Sequence, residues 1–302
     1  MNILVTGSNG QLGLEIQKVK EENSNINWYF VPHEVLDITK FSDVKDYVKQ
    51  NNIDIIINCA AYTHFDKCYE FPDKATLINS FGPMILSKVA EEFNCLLIHI
   101  SSDYVFDGEK IDGEYEVNDE PKPISFYGKS KYLGEKFIEL SNCDYLIFRT
   151  SWLYGGEKRN FVDTMFSKIE KEDIIKVVSD QTGTPTYVTD LANFLVGIIN
   201  NFNLDYLRKN KGIYHFANKG KTTWFDITQK IYLMRIAEDI NFNHKCKIIP
   251  ISTDDFPSKD KRPKYSPLST KQTEKVFKYV PKNWEDSLND CVLKYIKNGK
   301  QD

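Results

Sequence analysis

The 302-residue sequence has no hydrophobic run that approaches the ~18 residues needed to cross a membrane. It also lacks an excess of basic residues: the formal net charge is −4, so it offers no positive field for nucleic acid or acidic lipid. An apolar segment begins by Ile3, which leaves no room for a secretory leader. We therefore expect a cytoplasmic protein with neither a membrane partner nor a nucleic-acid partner.

Cysteine and histidine patterns typical of metal sites or redox pairs are absent as well. The six cysteines include no C-x-x-C pair, and the five histidines include no H-x-x-x-H pair. We expect reduced, mostly buried thiols and no metal site. What remains, 41% hydrophobic and 27% charged residues, is ordinary for a globular protein long enough for two lobes.

A glycine-rich turn follows the first apolar segment, which we interpret as a buried strand over Asn2 to Thr6. The turn reads G-x-x-G-x-x-G and leads into a segment with helical spacing of apolar residues. In such a turn the first glycine permits the tight bend, the second lets the backbone approach a pyrophosphate, and the third allows close helix-to-strand packing. At a first strand-to-helix junction this pattern favours dinucleotide binding over a plain glycine turn. The predicted cofactor-binding residues here are Gly7, Asn9, Gly10, Gln11, Leu12 and Gly13.

The end of the second predicted strand, Asn27 to Val31, leaves the choice of nicotinamide cofactor open. An acidic residue commonly stands there to bind the ribose 2′-hydroxyl of NAD, but this sequence reads Pro32-His33-Glu34. Glu34 would suit NADH, His33 would tolerate the 2′-phosphate of NADPH, and a plain exposed loop is equally compatible. Asp37 is also among the predicted cofactor-binding residues.

Small and polar residues follow the third and fourth predicted strands, Ile53 to Asn58 and Cys95 to Ile100. The carboxyl ends of parallel strands meet at one edge of a sheet, where ligands bind. Between these strands Pro72 opens a predicted long helix to about Phe93. Small residues would let a cofactor lie against the backbone, although plain packing also explains them. The residues placed at this edge are Ala60, Ala61 and Tyr62 after the third strand, Ser101, Ser102 and Asp103 after the fourth, and Asn79, the polar exception on the helix.

A phenol and an ammonium four residues apart, Tyr127 and Lys131, fall in the predicted first turns of a helix. Residues at i and i+4 share a helix face, and a nearby positive charge lowers the pKa of a phenol toward the range useful for acid-base catalysis. The same spacing begins again at Tyr132 and Tyr154, so the pair alone is weak evidence. The proline-containing loop before Tyr127 and the upstream Ser102 distinguish it from the other two tyrosines.

Strands alternating with helices predict an α/β doubly wound parallel sheet, the Rossmann fold. We assign residues 1–150, rejoined by part of 173–216, to a dinucleotide-binding domain. Residues 151–302, where the periodicity is less regular, are predicted to form mainly a smaller, mixed α/β substrate-binding lobe. The later predicted elements are a helix over Phe161 to Glu170, a strand over Ile174 to Val178, and helices over Leu191 to Ile199 and 222–239.

The segment from Pro257 to Pro267 carries three prolines and four basic residues, and we expect a loop there. A solvated loop and a clamp for a diphosphate are both compatible with this pattern. For a diphosphate, Arg262 is better suited than the lysines, because a guanidinium can bind two oxygens at once.

Together these motifs resemble the extended short-chain dehydrogenase/reductase family, and within it they look like the dTDP-4-dehydrorhamnose reductases over about the whole chain. The runs from Asp103 to Gly108 and from Arg149 to Trp152 are specific to this branch. Two departures are Asp66-Lys67-Cys68-Tyr69, where the branch usually has Asp-x-Ala-Glu, and Pro32, where a ribose-binding acid is common. The other similar stretches are Gly7 to Gly13, Ala60 to Thr63, Tyr127 to Lys131 with Gly134-Glu135, Asp180-Gln181 with Gly183, Pro185 and Thr186, and Arg262-Pro263 with Ser266 and Leu268.

The resemblance implies reduction, with NADPH or NADH, of the C4 keto group of dTDP-4-dehydro-L-rhamnose to dTDP-L-rhamnose, for cell-surface polysaccharide. Tyr127 would donate the proton, Ser102 would hydrogen-bond the same oxygen, and Lys131 would keep the phenol acidic and bind the nicotinamide ribose. Assembly as a homodimer is left open. The implied substrate-binding residues are Asp103, Trp152, Gln181 and Arg262.

Two other functions stay open at this point. A sister reductase acting on another nucleotide-linked 4-keto-6-deoxysugar would differ in only a few loop contacts. A non-catalytic, cofactor-binding regulatory subunit, like the one related to this family that binds methionine adenosyltransferase, would not need Tyr127 and Lys131. Both residues are present, which favours the enzyme.

Overall fold

The structure is a computed structural model that describes residues 1–20, 25–238, 242 and 244–298. Its strands pair into one large sheet and several two-stranded ribbons. In chain order the strands of the described residues are β1 Asn2–Thr6, β2 Asn27–Val31, β3 Ile55–Asn58, β4 Leu96–Ser102, β5 Asp144–Thr150, β6 Leu153–Tyr154, β7 Ile174–Val178, β8 Thr182–Gly183, β9 Thr186–Tyr187, β10 Gly212–His215, β11 Thr222–Thr223 and β12 Lys247–Ile251.

Helices fill most of the connections between these strands. The predicted helix from Pro72 to Phe93 is interrupted by a π-helical turn, Leu77–Phe81, and 3₁₀ turns occur at Asp103–Val105 and Thr253–Asp255. The α-helices are α1 Gln11–Val19, α2 Phe41–Gln50, α3 Phe65–Glu70, α4 Pro72–Thr76, α5 Gly82–Phe93, α6 Phe126–Glu139, α7 Phe161–Lys171, α8 Val188–Asn201, α9 Leu204–Lys209, α10 Trp224–Glu238, α11 Lys271–Phe277 and α12 Trp284–Asn298.

The large sheet has six strands in the order β2-β1-β3-β4-β5-β10, and every pair in it is parallel. The prediction of a doubly wound parallel sheet is confirmed. The strand order reverses between β1 and β3, and in open α/β sheets the crevice at such a switch point is where ligands bind. The fold therefore predicts a ligand site at the carboxyl ends of β1, β3 and β4.

Both faces of this sheet are buried, as a parallel sheet requires. Successive side chains of a strand point to opposite faces. Ile3 and Ile55 pack with α1 and α8 in one hydrophobic cluster. Leu4 and Ile56, their neighbours along the strands, pack with α2, α5 and α6 in another. This explains why the strands are nearly continuous runs of isoleucine, leucine and valine.

A buried ion pair fixes α6 against the sheet. Arg149 on β5 donates to both carboxylate oxygens of Glu135 on α6, with Nε to Oε1 at 3.0 Å and Nη2 to Oε2 at 2.8 Å. Ser101 on β4 donates to the same carboxylate. Such bidentate pairs are geometrically specific, so this contact sets where α6 lies relative to the ends of β4 and β5.

A third hydrophobic cluster lies in the second half of the chain, where α7, α10 and α12 pack around the parallel pair of β7 and β12. The predicted helix over 222–239 corresponds to α10 preceded by β11, and residue 239 lies outside the described residues. No helix in the described part of the chain is long and apolar enough to cross a membrane.

Candidate active site

A cleft of about 520 Å³ opens at the carboxyl ends of the central strands, between the glycine turn and the second half of the chain. It brings together residues that are far apart in sequence. Most of the predicted catalytic and substrate-binding residues line it. The predicted site residues on its wall are Gly10, Gln11, Leu12, Ala61, Ser102, Asp103, Tyr127, Lys131, Trp152 and Arg262.

The glycine turn has the backbone geometry expected of a pyrophosphate cradle. Gly7 has φ of +63°, and a Cβ there would come within 2.7 Å of the Ala60 backbone. A Cβ on Gly13 would come within 2.6 Å of Ser8 Cα, so only glycine allows α1 to start this close to the turn. Gly10 is the N-cap of α1, and no side chain caps this helix end. The first amide groups of α1 and the positive end of its dipole are therefore available to an anion, and the residues fit a dinucleotide.

Asn79 fixes the loop after β3 and does not line the cleft. Its Oδ1 accepts from the Tyr62 amide at 2.7 Å, and its Nδ2 donates to the Tyr62 carbonyl at 3.0 Å. Nδ2 also donates to Ser130 on α6 at 3.0 Å. This amide thus ties the loop of Ala60, Ala61 and Tyr62 to the helix that carries Tyr127.

Asp37 lies in the loop that follows β2. Its carboxylate accepts from the Thr39 amide at 3.0 Å and the Thr39 hydroxyl at 2.7 Å. The His33 ring lies 4.0 Å from the same oxygen and is largely exposed. Asn9 and Glu34 are also exposed. The structure therefore places no buried acid at the end of β2 to select against a 2′-phosphate.

Ser102, Tyr127 and Lys131 converge on the cleft from two elements. Ser102 ends β4, while Tyr127 and Lys131 lie on the first two turns of α6. Ser125 caps this helix by accepting from the Gly128 amide at 3.1 Å, which fixes the start of α6 immediately before Tyr127. Ser102 and Tyr127 hydrogen-bond through their hydroxyls.

The sequence analysis predicted that a nearby positive charge lowers the pKa of Tyr127. This prediction was wrong, because the pKa is raised. Withdrawal from water raises the pKa of Tyr127, and the hydrogen bond with Ser102 only partly offsets that. The Lys131 ammonium instead donates to the Ile100 carbonyl at 2.7 Å and lies 3.5 Å from His99 Nε2. Burial lowers the pKa of Lys131 to about 8, so it still carries its proton at pH 7.

Asp103 is a buried carboxyl group beside Ser102. It accepts from Ser266 Oγ at 2.7 Å and from Ser102 Oγ at 3.1 Å. Burial raises its pKa to about 7, against the effect of these two hydrogen bonds. Perturbed carboxyl groups of this kind are concentrated at functional sites.

An aromatic wall faces Ser102 and Tyr127 across the cleft. Trp152 stacks on Trp224 with ring centroids 3.7 Å apart and planes 12° from parallel. Trp152 has a positive φ of 47°, and its indole covers Gly183, where a Cβ would come within 2.5 Å of the ring. Gln181 is buried behind this wall: it accepts from Trp224 Nε1 at 3.1 Å and does not line the cleft.

Arg262 closes one end of the cleft. Its guanidinium lies 4.3 Å from the centroid of the Phe65 ring and hydrogen-bonds the Tyr104 phenol. Tyr104 in turn contacts Tyr127 edge-on, with ring centroids 5.7 Å apart. No carboxylate in the part of the chain that the structure describes pairs with this guanidinium, so it remains available to an anionic ligand.

Several cleft residues had no sequence signal. Trp224 and Phe161 come from α10 and α7, and Phe65 comes from α3. They meet only because elements far apart in the chain pack together, so spacing along the chain could not reveal them. A tryptophan immediately after a short polar strand was the only local feature of Trp224.

The comparisons with known proteins agree with this geometry. The family model described as RmlD substrate binding domain matches residues 1–296. The spore coat polysaccharide biosynthesis protein SpsK of Bacillus subtilis is 34% identical over 291 residues, covering 96% of each chain. A dTDP-4-dehydrorhamnose reductase of Aggregatibacter actinomycetemcomitans is 34% identical over 288 residues, covering 95% of this chain and 97% of its own.

The chain is also similar to solved structures of dTDP-4-dehydrorhamnose reductases. A dTDP-4-dehydrorhamnose reductase of Clostridium acetobutylicum superimposes with a TM-score of 0.88 at 37% identity, covering 98% of this chain and all of its own, 100%. The reductase of Bacillus anthracis, in complex with NADP, has a TM-score of 0.86 at 34% identity and covers 97% of this chain and 99% of its own. Since both a family model and relatives of this similarity span nearly the whole chain, the protein belongs to the dTDP-4-dehydrorhamnose reductase family, matched by the RmlD substrate binding domain.

Proposed function

We propose that the protein reduces the C4 keto group of dTDP-4-dehydro-L-rhamnose to dTDP-L-rhamnose with NADPH or NADH, for cell-surface polysaccharide. The observation that carries the proposal is the single cleft in which Ser102, Tyr127 and Lys131 face both the glycine turn and the Arg262 end. The names of the relatives, and the NADP complex of the Bacillus anthracis enzyme, support it.

The cofactor would be held by the turn between β1 and α1 and by the loop after β3. The amide groups at the start of α1 would bind its pyrophosphate, and the loop that Asn79 fixes would lie along it. Asp37 is proposed for the ribose side and Lys131 for the nicotinamide ribose. When bound, a reduced nicotinamide supplies a hydride for the keto carbon.

Tyr127 supplies the proton of the reduction. Its raised pKa keeps the phenol protonated at neutral pH, which is the form that an acid needs before it reacts. As C4 becomes tetrahedral, the phenol donates to the developing alkoxide, and Ser102 hydrogen-bonds the same oxygen. Lys131, charged at pH 7, stabilises the phenolate that remains.

The substrate would lie between the aromatic wall and the Arg262 end. The Trp152 and Trp224 rings offer an apolar face to the deoxysugar, and Asp103 offers a carboxyl oxygen to a sugar hydroxyl. Arg262 would bind the diphosphate. Gln181 would act on the sugar through Trp224, whose indole nitrogen it accepts from.

Turnover tests the proposal directly. Oxidation of NADPH and of NADH, followed at the nicotinamide absorbance band with dTDP-4-dehydro-L-rhamnose, should be rapid and ranks the two cofactors. A protein that binds the cofactor but oxidises neither would contradict the proposal. Rapid turnover of a UDP-linked ketosugar instead would identify a sister reductase, and inactivity on both sugars would favour a regulatory subunit.

Tyr127→Phe should lower kcat by about 10² to 10⁴, as removal of an acid-base group does. Tyr132→Phe is the matched control: it alters the next Tyr-x-x-x-Lys pair on the same helix, outside the cleft, and should keep wild-type kcat. Equal kcat values for the two variants would remove Tyr127 from the mechanism.

The assignment of the two parts of the chain to cofactor binding and substrate binding belongs to the same proposal. Residues 1–150 with part of 173–216 form the cofactor domain, which β10 beside β5 and α8 against α1 support. Residues 151–302 form mainly the substrate lobe.

A cytoplasmic location is supported by the free thiols: none of the six cysteines, all in the described part of the chain, is in a disulfide. A homodimer is also proposed, and analytical ultracentrifugation tests it.

A further inference from the structure

The segment Ser258–Arg262, called the strap below, reaches from the second half of the chain to helices at the mouth of the cleft. On α3, the Asp66 carboxylate accepts from the Lys259 amide at 3.1 Å and from the Ser258 hydroxyl at 3.3 Å. The Lys259 ammonium pairs with Glu70, one turn further along α3. The strap therefore holds α3 through both backbone and side-chain contacts.

The strap also contacts the helix that carries the catalytic phenol. Asp260 Oδ2 accepts from the Phe126 amide at 2.7 Å. Phe126 is the first residue of α6, and its amide has no partner inside the helix. Because Ser125 caps the Gly128 amide, Asp260 supplies the second cap of this helix end, directly before Tyr127. A carboxylate at a helix N-terminus also interacts favourably with the helix dipole.

Arg262 is two residues beyond Asp260 on the same strap. Its Nε donates to Ser258 Oγ at 3.4 Å. That hydroxyl shares its one proton between the Asp260 carbonyl, at 3.0 Å, and the more distant Asp66 carboxylate, at 3.3 Å. The strap is thus a compact turn with Arg262 facing the cleft and Asp260 facing the helix. Because only one residue separates them, an anion bound to Arg262 also restrains the position of Asp260.

We propose that Asp260 is a positioning residue that couples anion binding at Arg262 to the placement of Tyr127 through the first turn of α6. The inference rests on the proposed function, in which a nucleoside diphosphate binds at Arg262. Asp260 does not touch the reacting atoms and acts through the backbone of Phe126. Occupation of Arg262 holds the strap closed and fixes the phenol against Ser102.

Kinetics of two Asp260 variants test the coupling. Asp260→Ala removes the cap and should lower kcat about tenfold and raise the KM for the dTDP sugar several-fold, with the Kd for NADPH unchanged within twofold. Asp260→Asn keeps an oxygen that can accept from Phe126 and should restore most of both parameters. Asp254→Ala, at an exposed carboxylate shortly before the strap, is the matched control and should behave as wild type. Asp260→Ala values equal to those of Asp254→Ala would overturn the proposal.

Hydrogen exchange separates this inference from the proposed function. With dTDP alone as the probe, exchange in the first turn of α6 should slow in the wild type but not in Asp260→Ala, although calorimetry shows dTDP bound to both. Failure of the wild type to reduce the dTDP sugar would refute the function. The dTDP comparison then decides the inference, because it needs no turnover: protection of this turn in the wild type but not in Asp260→Ala supports the coupling, and equal protection in both overturns it.

Discussion

At the scale of one residue, the buried carboxyl group of Asp103 lowers the free energy of unfolding as the pH rises. Its folded pKa of about 7 lies above the value of an unfolded aspartate, about 3.9, because the carboxyl group is buried. The folded state therefore binds a proton that the unfolded state has released. This contribution to stability is fully present below pH 4 and is lost as the pH rises through 7.

Asp103→Asn, which cannot ionise, makes this measurable. The free energy of unfolding of the wild type minus that of Asp103→Asn should fall between pH 4.5 and 7, by at most about 1.4 kcal/mol per pH unit, and then level off. Urea unfolding at several pH values gives the difference, in which other titrating groups cancel. A difference that does not change with pH would show that Asp103 is ionised throughout.

The sequence was sufficient for residues whose position follows from a local pattern. Ser102 after a strand and Tyr127 at a helix start could be placed at one sheet edge, and both line the cleft. Trp224 could not, because only the packing of α10 against α7 brings it there. The pKa of Tyr127 could not either, since it depends on how much water the whole site excludes.

At the scale of elements, close contact between α6 and the turn after β4 sets where Tyr127 lies relative to Ser102. A Cβ on Gly128, between Tyr127 and Lys131, would overlap the carbonyl of Tyr104. Backbone cannot yield as a flexible side chain does, so Gly128→Ala must push α6 away from Ser102.

Gly128→Ala should therefore lower kcat by about tenfold to a hundredfold, because a shift of about 1 Å at a catalytic group has that effect. Gly197→Ala is the control, since a Cβ there meets only the Asn201 side chain at 3.9 Å. On α8 it should add about 0.5–1 kcal/mol of stability and leave kcat unchanged. Steady-state kinetics and thermal unfolding distinguish the two, and unchanged kcat in Gly128→Ala would mean that α6 is not set by this contact.

Element boundaries were predictable where hydrophobic periodicity is strong. The strand Ile174–Val178 has the predicted bounds, and the helix that begins at Phe161 ends one residue beyond its predicted end. The π-helical turn Leu77–Phe81 was missed, because no residue in it breaks the helical pattern. The two-residue strands β8 and β11 were missed as well, since they are too short to show a period and are defined by pairing with residues far away in the chain.

At the scale of the whole molecule, the large sheet combines five strands from the first half of the chain with one strand from the second half. Continuous apolar strands predicted a parallel sheet buried on both faces, but the position of its sixth strand did not follow from them. β10 joins β5 only after the chain has passed through α7, α8 and α9. The last strand of the sheet, β10, therefore comes from the second half of the chain, after three of its helices. Neither half can lose its structure without affecting the other.

This arrangement predicts one cooperative unfolding transition that ligands shift as a unit. NADPH at 100 times its Kd should raise the free energy of unfolding by about 2.7 kcal/mol, or roughly 5 °C in Tm for a chain of this size. Differential scanning calorimetry measures the shift, with free nicotinamide, which lacks the pyrophosphate that the glycine turn would bind, as the control. α8 packs directly on α1, whose first turn would form the proposed pyrophosphate site, so stabilising that turn should also hold the segment that leads to β10. Two separate transitions, with only one of them responding to NADPH, would show that the halves unfold independently despite the shared sheet.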